Sequence, residues 1–201
     1  MALFKDKYRI ESIRLPGHDY SSPGAYFITI CTHNRQCLFG EIVDGEIMLN
    51  EFGELVKSEW QKTGIIRPNI VIDAFVIMPN HLHGILIIND EFCYGRDTLQ
   101  RVSTIGRKIN ENNQIEQFGK PTKNSIPTIV RLFKSTTTKQ INQIRQTPGI
   151  PVWQRNYYEH IIRDTDDLSR IRHYIADNPK NWKNDCPGHS HPMPNLLLNT
   201  L

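Results

Sequence analysis

Two apolar, β-branched runs, Ile70 to Ile77 and Ile85 to Ile88, flank the segment Met78-Pro79-Asn80-His81-Leu82-His83-Gly84. This pair constrains the fold more than any other feature. One strand turns through Met78-Pro79-Asn80 and returns as a second strand that carries two histidines and ends near Asn89-Asp90. Side chains alternate along a strand, so His81 and His83 project from one face while Leu82 points into the core. Two imidazoles side by side make half of a metal site. Two ordinary histidines at a strand mouth fit the same spacing equally well.

The remaining segments supply partners for that hairpin. Ala25 to Thr32 is a β-branched and aromatic run and reads as a strand. Cys37 to Ile42 and Glu46 to Leu49 read as a short hairpin around Asp44-Gly45. Asn50 suits a helix N-cap, with Glu51 and Glu54 in the first turn. The helix is expected to run to Gly64 and to bury Phe52, Leu55, Val56 and Trp60. A second helix is expected from Pro127 to Gln146, burying Ile126, Ile129, Val130, Phe133, Thr137, Ile141 and Ile144. Val152 to Ile162 reads as a fourth long strand and Asp166 to Asn178 as a closing helix.

The order strand, helix, strand, strand, helix, strand, helix predicts a ferredoxin-like α+β fold: an antiparallel sheet with helices packed on it and an additional C-terminal helix. The expected organisation is an N-terminal arm over 1–23, one domain over 24–183 and an irregular tail over 184–201. Residues 90–124 lack periodicity and read as a long loop or insertion within that domain.

Charge is unevenly spread. The net formal charge is +3, yet Gln117 to Tyr158 contains seven basic residues and no Asp or Glu, leaving the rest of the chain at −4. Such a segment suits a phosphate-rich partner, or forms a solvated basic face. Arg131, Lys134 and Arg145 fall on one side of the second helix, and Arg155 lies beside Trp153 and Tyr157. These six are the candidates for nucleic-acid backbone and base-stacking contacts. Cys31, Cys37, Cys93 and Cys186 form no CxxC pair, and no apolar run reaches transmembrane length. The expectation is a cytoplasmic protein with reduced thiols and no membrane partner.

On the closing helix, Tyr174 and Asn178 stand four residues apart on the shoulder of the stripe Leu168, Ile171 and Ile175. From spacing alone they read either as a packing tyrosine and a helix-terminal asparagine or as groups reaching a site on the sheet.

MPN followed by HLH, Phe133-Lys134-Ser135, Val152-Trp153-Gln154-Arg155, Tyr158-Glu159-His160-Ile161-Ile162-Arg163, and Tyr174-Ile175 before Asn178-Pro179 occur here in one order. Over roughly residues 8 to 183 this set resembles the single-tyrosine transposases of the HUH endonuclease superfamily, of the insertion-sequence 200-like kind, and most closely the REP-associated tyrosine transposases. The resemblance implies a metal-dependent endonuclease and strand transferase acting on single-stranded, hairpin-containing DNA. It implies Tyr174 as the nucleophile, forming a 5′-phosphotyrosine, and His81, His83 and Asn178 as ligands of a divalent ion, magnesium or manganese. It also implies either a monomer or a homodimer. His160 and Arg163 belong to the motif without an assigned role. The alternative is a catalytically silent, transposase-derived nucleic-acid-binding or regulatory protein.

Overall fold

The computed structural model describes residues 3–4, 8–9, 15, 17–89 and 122–182. Most of the expected arm, insertion and tail lie outside the described residues, as do Cys93 and Cys186. The elements are β1 (Leu3–Phe4), β2 (Tyr8–Arg9), β3 (Gly24–Cys31), β4 (Gly40–Val43), β5 (Glu46–Leu49), α1 (Glu51–Ile66), β6 (Ile70–Met78), β7 (His81–Ile88), α2 (Ile126–Ile144), β8 (Tyr158–Ile162) and α3 (Thr165–Asp177), with a short 3₁₀ turn at His33–Arg35 after β3. The main sheet is antiparallel with strand order β6-β7-β3-β8. The sequence of its elements is β3-α1-β6-β7-α2-β8, so both helical crossovers return to the same sheet. This is the expected α+β arrangement, with α3 as the additional helix.

Alternation sorts the strand residues into two layers. Tyr26, Ile28, Ile30, Leu82 and Leu86 join Trp60 of α1 and Ile129, Val130 and Phe133 of α2 in the larger core. Ala25, Phe27, Ile85 and Ile87 face the other way and pack on Leu168, Ile171 and Ile175 of α3. β7 is buried along its whole length and pairs with β3 on one side and β6 on the other, and a slip by one residue would turn every side chain, His81 and His83 included, to the wrong layer.

Local signals explain the helix starts. Asn50 Oδ1 accepts the Gly53 N–H at 3.0 Å, Ser125 Oγ accepts from Thr128 N, and Asp164 Oδ1 accepts from Asp167 N at 2.7 Å. Each satisfies a backbone donor that the first turn of a helix leaves unpaired.

Gly84 sets how closely α1 approaches the histidine strand. A Cβ there would lie 2.6 Å from Cζ2 of the fully buried Trp60. An indole locked in the core has no room to retreat, so Gly84→Ala should destabilise the protein by about 1–3 kcal/mol. Urea denaturation would show this as a lowered midpoint at unchanged slope; an unaltered midpoint would contradict the packing.

Two expectations are corrected. The fourth strand begins at Tyr158, not Val152; residues 152–157 run irregularly, joined to β3 by an isolated bridge between Thr32 and Trp153. The end of the expected arm is part of the domain: Tyr20 is buried in the larger core, and its carbonyl accepts the Ile126 N–H at 3.0 Å.

Candidate active site

His81 and His83 open β7 and face α3, as their alternation with Leu82 requires. Their ring centroids are 4.4 Å apart. Across from them the last turn of α3 brings two side chains from far along the chain. Tyr174 Oη lies 3.2 Å from His83 Nε2, and Asn178 Oδ1 lies 3.3 Å from His81 Nε2. The structure therefore brings together all four residues singled out on the strand and the closing helix.

Three contacts hold α3 in place beyond its apolar stripe. A β-bulge lies between Ile72, opposite Leu86, and Phe75, opposite Gly84. Asp73 and Ala74 thus share the single partner Ile85, and bulges of this kind re-aim side chains. Asp73 uses this position to accept two bonds from the Arg172 guanidinium, at 2.7 and 2.8 Å. On the opposite edge of the sheet, His160 of β8 pairs with Asp167 at 2.8 Å. His160, left without a role by the sequence, is thus a brace for the start of α3. The Phe27 ring stacks near His83 and meets Tyr174 edge-on, with centroids 5.4 and 6.1 Å away.

The second nitrogens of both imidazoles are engaged. His81 Nδ1 lies 2.6 Å from Asn80 Oδ1, and His83 Nδ1 lies 2.8 Å from Thr29 Oγ1. Such partners orient both rings, and Asn80 Oδ1, which can only accept, selects the His81 tautomer that carries its proton on Nδ1. Burial keeps the rings neutral. Desolvation, then the Arg35 charge, lowers His81 to about 3. Desolvation, then His81, then Arg35, lowers His83 well below the ordinary value.

These buried neutral rings make acid destabilising. As pH falls below the ordinary histidine value of about 6.5, the unfolded chain takes up protons that the folded one refuses. Stability is then lost at up to about 1.4 kcal/mol per pH unit for each ring. The thermal midpoint of the metal-free protein should fall steadily from pH 6.5 to 5, and His81→Gln should flatten that fall. A level wild-type profile would contradict neutral burial.

The donor set fits a metal ion. With His81 Nδ1–H donating to Asn80, the lone pair of Nε2 points toward the Asn178 carbonyl oxygen. Two acceptors face each other across 3.3 Å, a gap suited to a cation. Among the described residues no group of three or more His, Cys, Asp or Glu side chains is arranged for a metal. The third donor here is an amide, so the protein ligands carry no charge.

The six residues expected to contact nucleic acid divide. Arg131 and Arg155 are exposed and Tyr157 is half-buried. Trp153 is corrected: it is buried against Phe39 and Phe133, and its Nε1 donates to Thr137 Oγ1 at 2.9 Å, so no base can stack on it. Lys134 is half-buried and turned toward the segment after α2. Its Nζ donates to the carbonyls of Gln154, Arg155 and Asn156 at 2.8, 3.4 and 2.9 Å, and burial lowers it to about 8. Arg145 donates to Asn142 Oδ1 and the Ile150 carbonyl at the end of α2. Lys134 and Arg145 thus spend donors on folding the loops that follow α2.

Thr29, Asn80, Asp73 and Arg172 were not singled out by sequence reasoning. Only Asn80 offered a signal, through its adjacency to His81; the others depend on pairing between distant segments.

No helix among the described residues is long and apolar enough to cross a membrane. No family model matches the chain. An uncharacterised protein of Haemophilus influenzae (strain KW20 / Rd) is 41% identical over 177 residues, covering 87% of this chain and 90% of that protein. The solved structure of a REP-associated tyrosine transposase bound to a REP hairpin superposes with a TM-score of 0.51 at 19% identity, covering 86% of this chain and 74% of that one.

Proposed function

Because this chain belongs to one family with the Haemophilus influenzae protein and has the fold of a REP-associated tyrosine transposase, we propose that it is a metal-dependent endonuclease and strand transferase of single-stranded, hairpin-containing DNA. The observation that carries this reading is the convergence of Tyr174, His83, His81 and Asn178 at one point, from positions 91 and 97 residues apart. A shared fold alone leaves function open; the meeting of a phenol, two neutral imidazoles and an amide oxygen on one sheet face is what supports the catalytic reading over a silent one.

The residues divide the work. His81, His83 and Asn178 would hold a divalent ion, with magnesium or manganese suited to the mixed nitrogen and oxygen donors and to open positions. When bound, the ion supplies charge that polarises the scissile phosphate and offsets negative charge developing on its oxygens. Tyr174 supplies the nucleophile. Its oxygen bonds to phosphorus, the bond from phosphorus to the 3′ oxygen breaks, and that oxygen leaves as a 3′-hydroxyl. The 5′ end remains on Tyr174 as a phosphotyrosine, and the retained ester lets a strand be rejoined without a nucleotide cofactor. In the ion-free protein His83 aims the phenol: in the tautomer with Nδ1–H on Thr29, its Nε2 accepts the Tyr174 O–H, a bond that would be given up when the same lone pair holds the ion. Arg172 with Asp73 and Asp167 with His160 keep α3 from drifting, and displacement of a reacting group by an ångström costs rate steeply.

Incubation with a labelled single-stranded hairpin oligonucleotide and manganese tests the proposal. A denaturation-resistant protein–DNA adduct is expected. Binding without any adduct over a broad set of hairpins would instead favour a silent DNA-binding relative.

A further inference from the structure

We infer that Trp182 is the base-stacking platform of this site, taking the base of the nucleotide that leaves with the 3′-hydroxyl. The inference rests on the proposed DNA cleavage and adds a residue that the sequence patterns did not mark.

The path of the chain past α3 comes first. Asn178 keeps helical backbone angles, with φ −57° and ψ −43°, although Asp177 is the last residue of α3. Asn181 N donates to the Asp177 carbonyl at 3.3 Å, and Trp182 N donates to the Pro179 carbonyl at 3.2 Å. The winding therefore continues to Trp182. Tyr174, Asn178 and Trp182 follow one another at intervals of four residues, so they form one row on one face of that path. The tip of the β4–β5 hairpin lies against the extension: a Cβ at Gly45 would sit 3.7 Å from Lys180 Cα.

The row runs along the imidazole pair. Tyr174 is beside His83, with ring centroids 5.1 Å apart, and Asn178 Oδ1 faces His81 Nε2 at 3.3 Å. Trp182 comes next, its ring 6.3 Å from that of His81 and inclined to it by 30°. Four helical residues advance about 6 Å, so phenol and indole stand at opposite ends of the row. The proposed ion ligands lie between them.

The chemistry names the occupant. In an in-line displacement the leaving oxygen departs on the side opposite the attacking one. A phosphate held at His81, His83 and Asn178 and attacked from Tyr174 therefore expels its 3′ oxygen toward Trp182. The base on that leaving nucleotide has a π-face, and aromatic side chains take such faces whatever the base. Trp60 and Trp153 are sealed in the larger core, whereas Trp182 is only half-buried. Trp182 thus supplies the stacking surface that Trp153 cannot.

An abasic residue placed in turn at each unpaired position of a hairpin oligonucleotide tests this. Affinity is read by fluorescence anisotropy for wild type, Trp182→Ala and Trp182→Phe. Trp182→Ala should weaken binding of the intact oligonucleotide roughly five- to a hundredfold, the range spanned by loss of one stacked base. Trp182→Phe should recover part of it. One abasic position should weaken wild type as much as Trp182→Ala does and add nothing in that variant. Mapping the adduct should place this position immediately 5′ of the cleaved phosphate. 2-Aminopurine there should lose emission on binding wild type, a readout that needs no variant. Wild-type affinity in Trp182→Ala would overturn the inference. So would a Trp182→Ala loss that no abasic position absorbs, coupling on the 3′ side of the cut, or an aminopurine that stays bright in wild type. If wild type binds but forms no adduct, the tyrosine chemistry fails while the abasic scan still decides Trp182 as a base contact. A wild type that binds no oligonucleotide overturns both.

Discussion

Tyr174→Phe should abolish the covalent protein–DNA adduct while leaving the protein folded and able to bind its oligonucleotide. The substitution removes one oxygen. The ring keeps its edge-on contact with Phe27 and its place beside His83, with centroids 6.1 and 5.1 Å away. What is lost structurally is one hydrogen bond to His83, a cost of about 1 kcal/mol. The chemical loss is total, because the oxygen removed is the atom that would carry the phosphoryl link. Affinity should stay within about fivefold of wild type, since one lost kilocalorie at most separates the two proteins.

Gel electrophoresis under denaturing conditions reads the adduct, and fluorescence anisotropy reads affinity. An adduct surviving in Tyr174→Phe would move the nucleophile elsewhere, and Tyr158 is the residue to examine. It shares the α3-facing layer with Tyr174. Burial, with Asp167 and Glu159 nearby, raises its hydroxyl well above the ordinary tyrosine value, which argues against an easily formed phenolate.

His81→Ala should remove divalent-ion binding and adduct formation together. Deleting one of three neutral donors should weaken manganese binding at least tenfold, and on the order of a hundredfold if it matches what second-shell losses alone cost. The ligands bring no charge of their own, so ion binding should tighten when the oligonucleotide is present, and oligonucleotide binding should tighten equally with the ion. Isothermal titration of manganese into wild type and variant, with and without DNA, measures both. Chelation should abolish the adduct without lowering the thermal midpoint, because the two rings are held by Asn80 and Thr29 and not by an ion. Unchanged manganese affinity in His81→Ala would remove the metal from this site. Unfolding on chelation would make the ion structural.

Much of the fold was legible because its signals are local. The strand carrying His81 and His83 is bounded by an apolar run on each side, a helix cap sits at Asn50, and α3 carries a stripe at helical spacing. Residues 152–157 were misread because Val152, Trp153 and Tyr157 have strand-like character. They pack as an irregular segment, and Lys134 pairs with three carbonyls there in place of a sheet neighbour. The partners of two basic residues of α2 were not legible for a related reason. A side chain's charge is written in the sequence, but the carbonyl within reach of Lys134 or Arg145 is not. Trp153 beside Arg155 looked like a stacking platform until its indole was found filling the core against Phe133.

By itself the sequence determined which face each strand residue takes, where helices start, and that His81 with His83 and Tyr174 with Asn178 each share a side of their element. Those follow from periods of two and 3.6, which one segment sets alone. Only the tertiary structure decided that the two pairs meet and that a bulge lets Asp73 hold Arg172. Each of these depends on register and packing between segments far apart in the chain, and no local period encodes the distance between them.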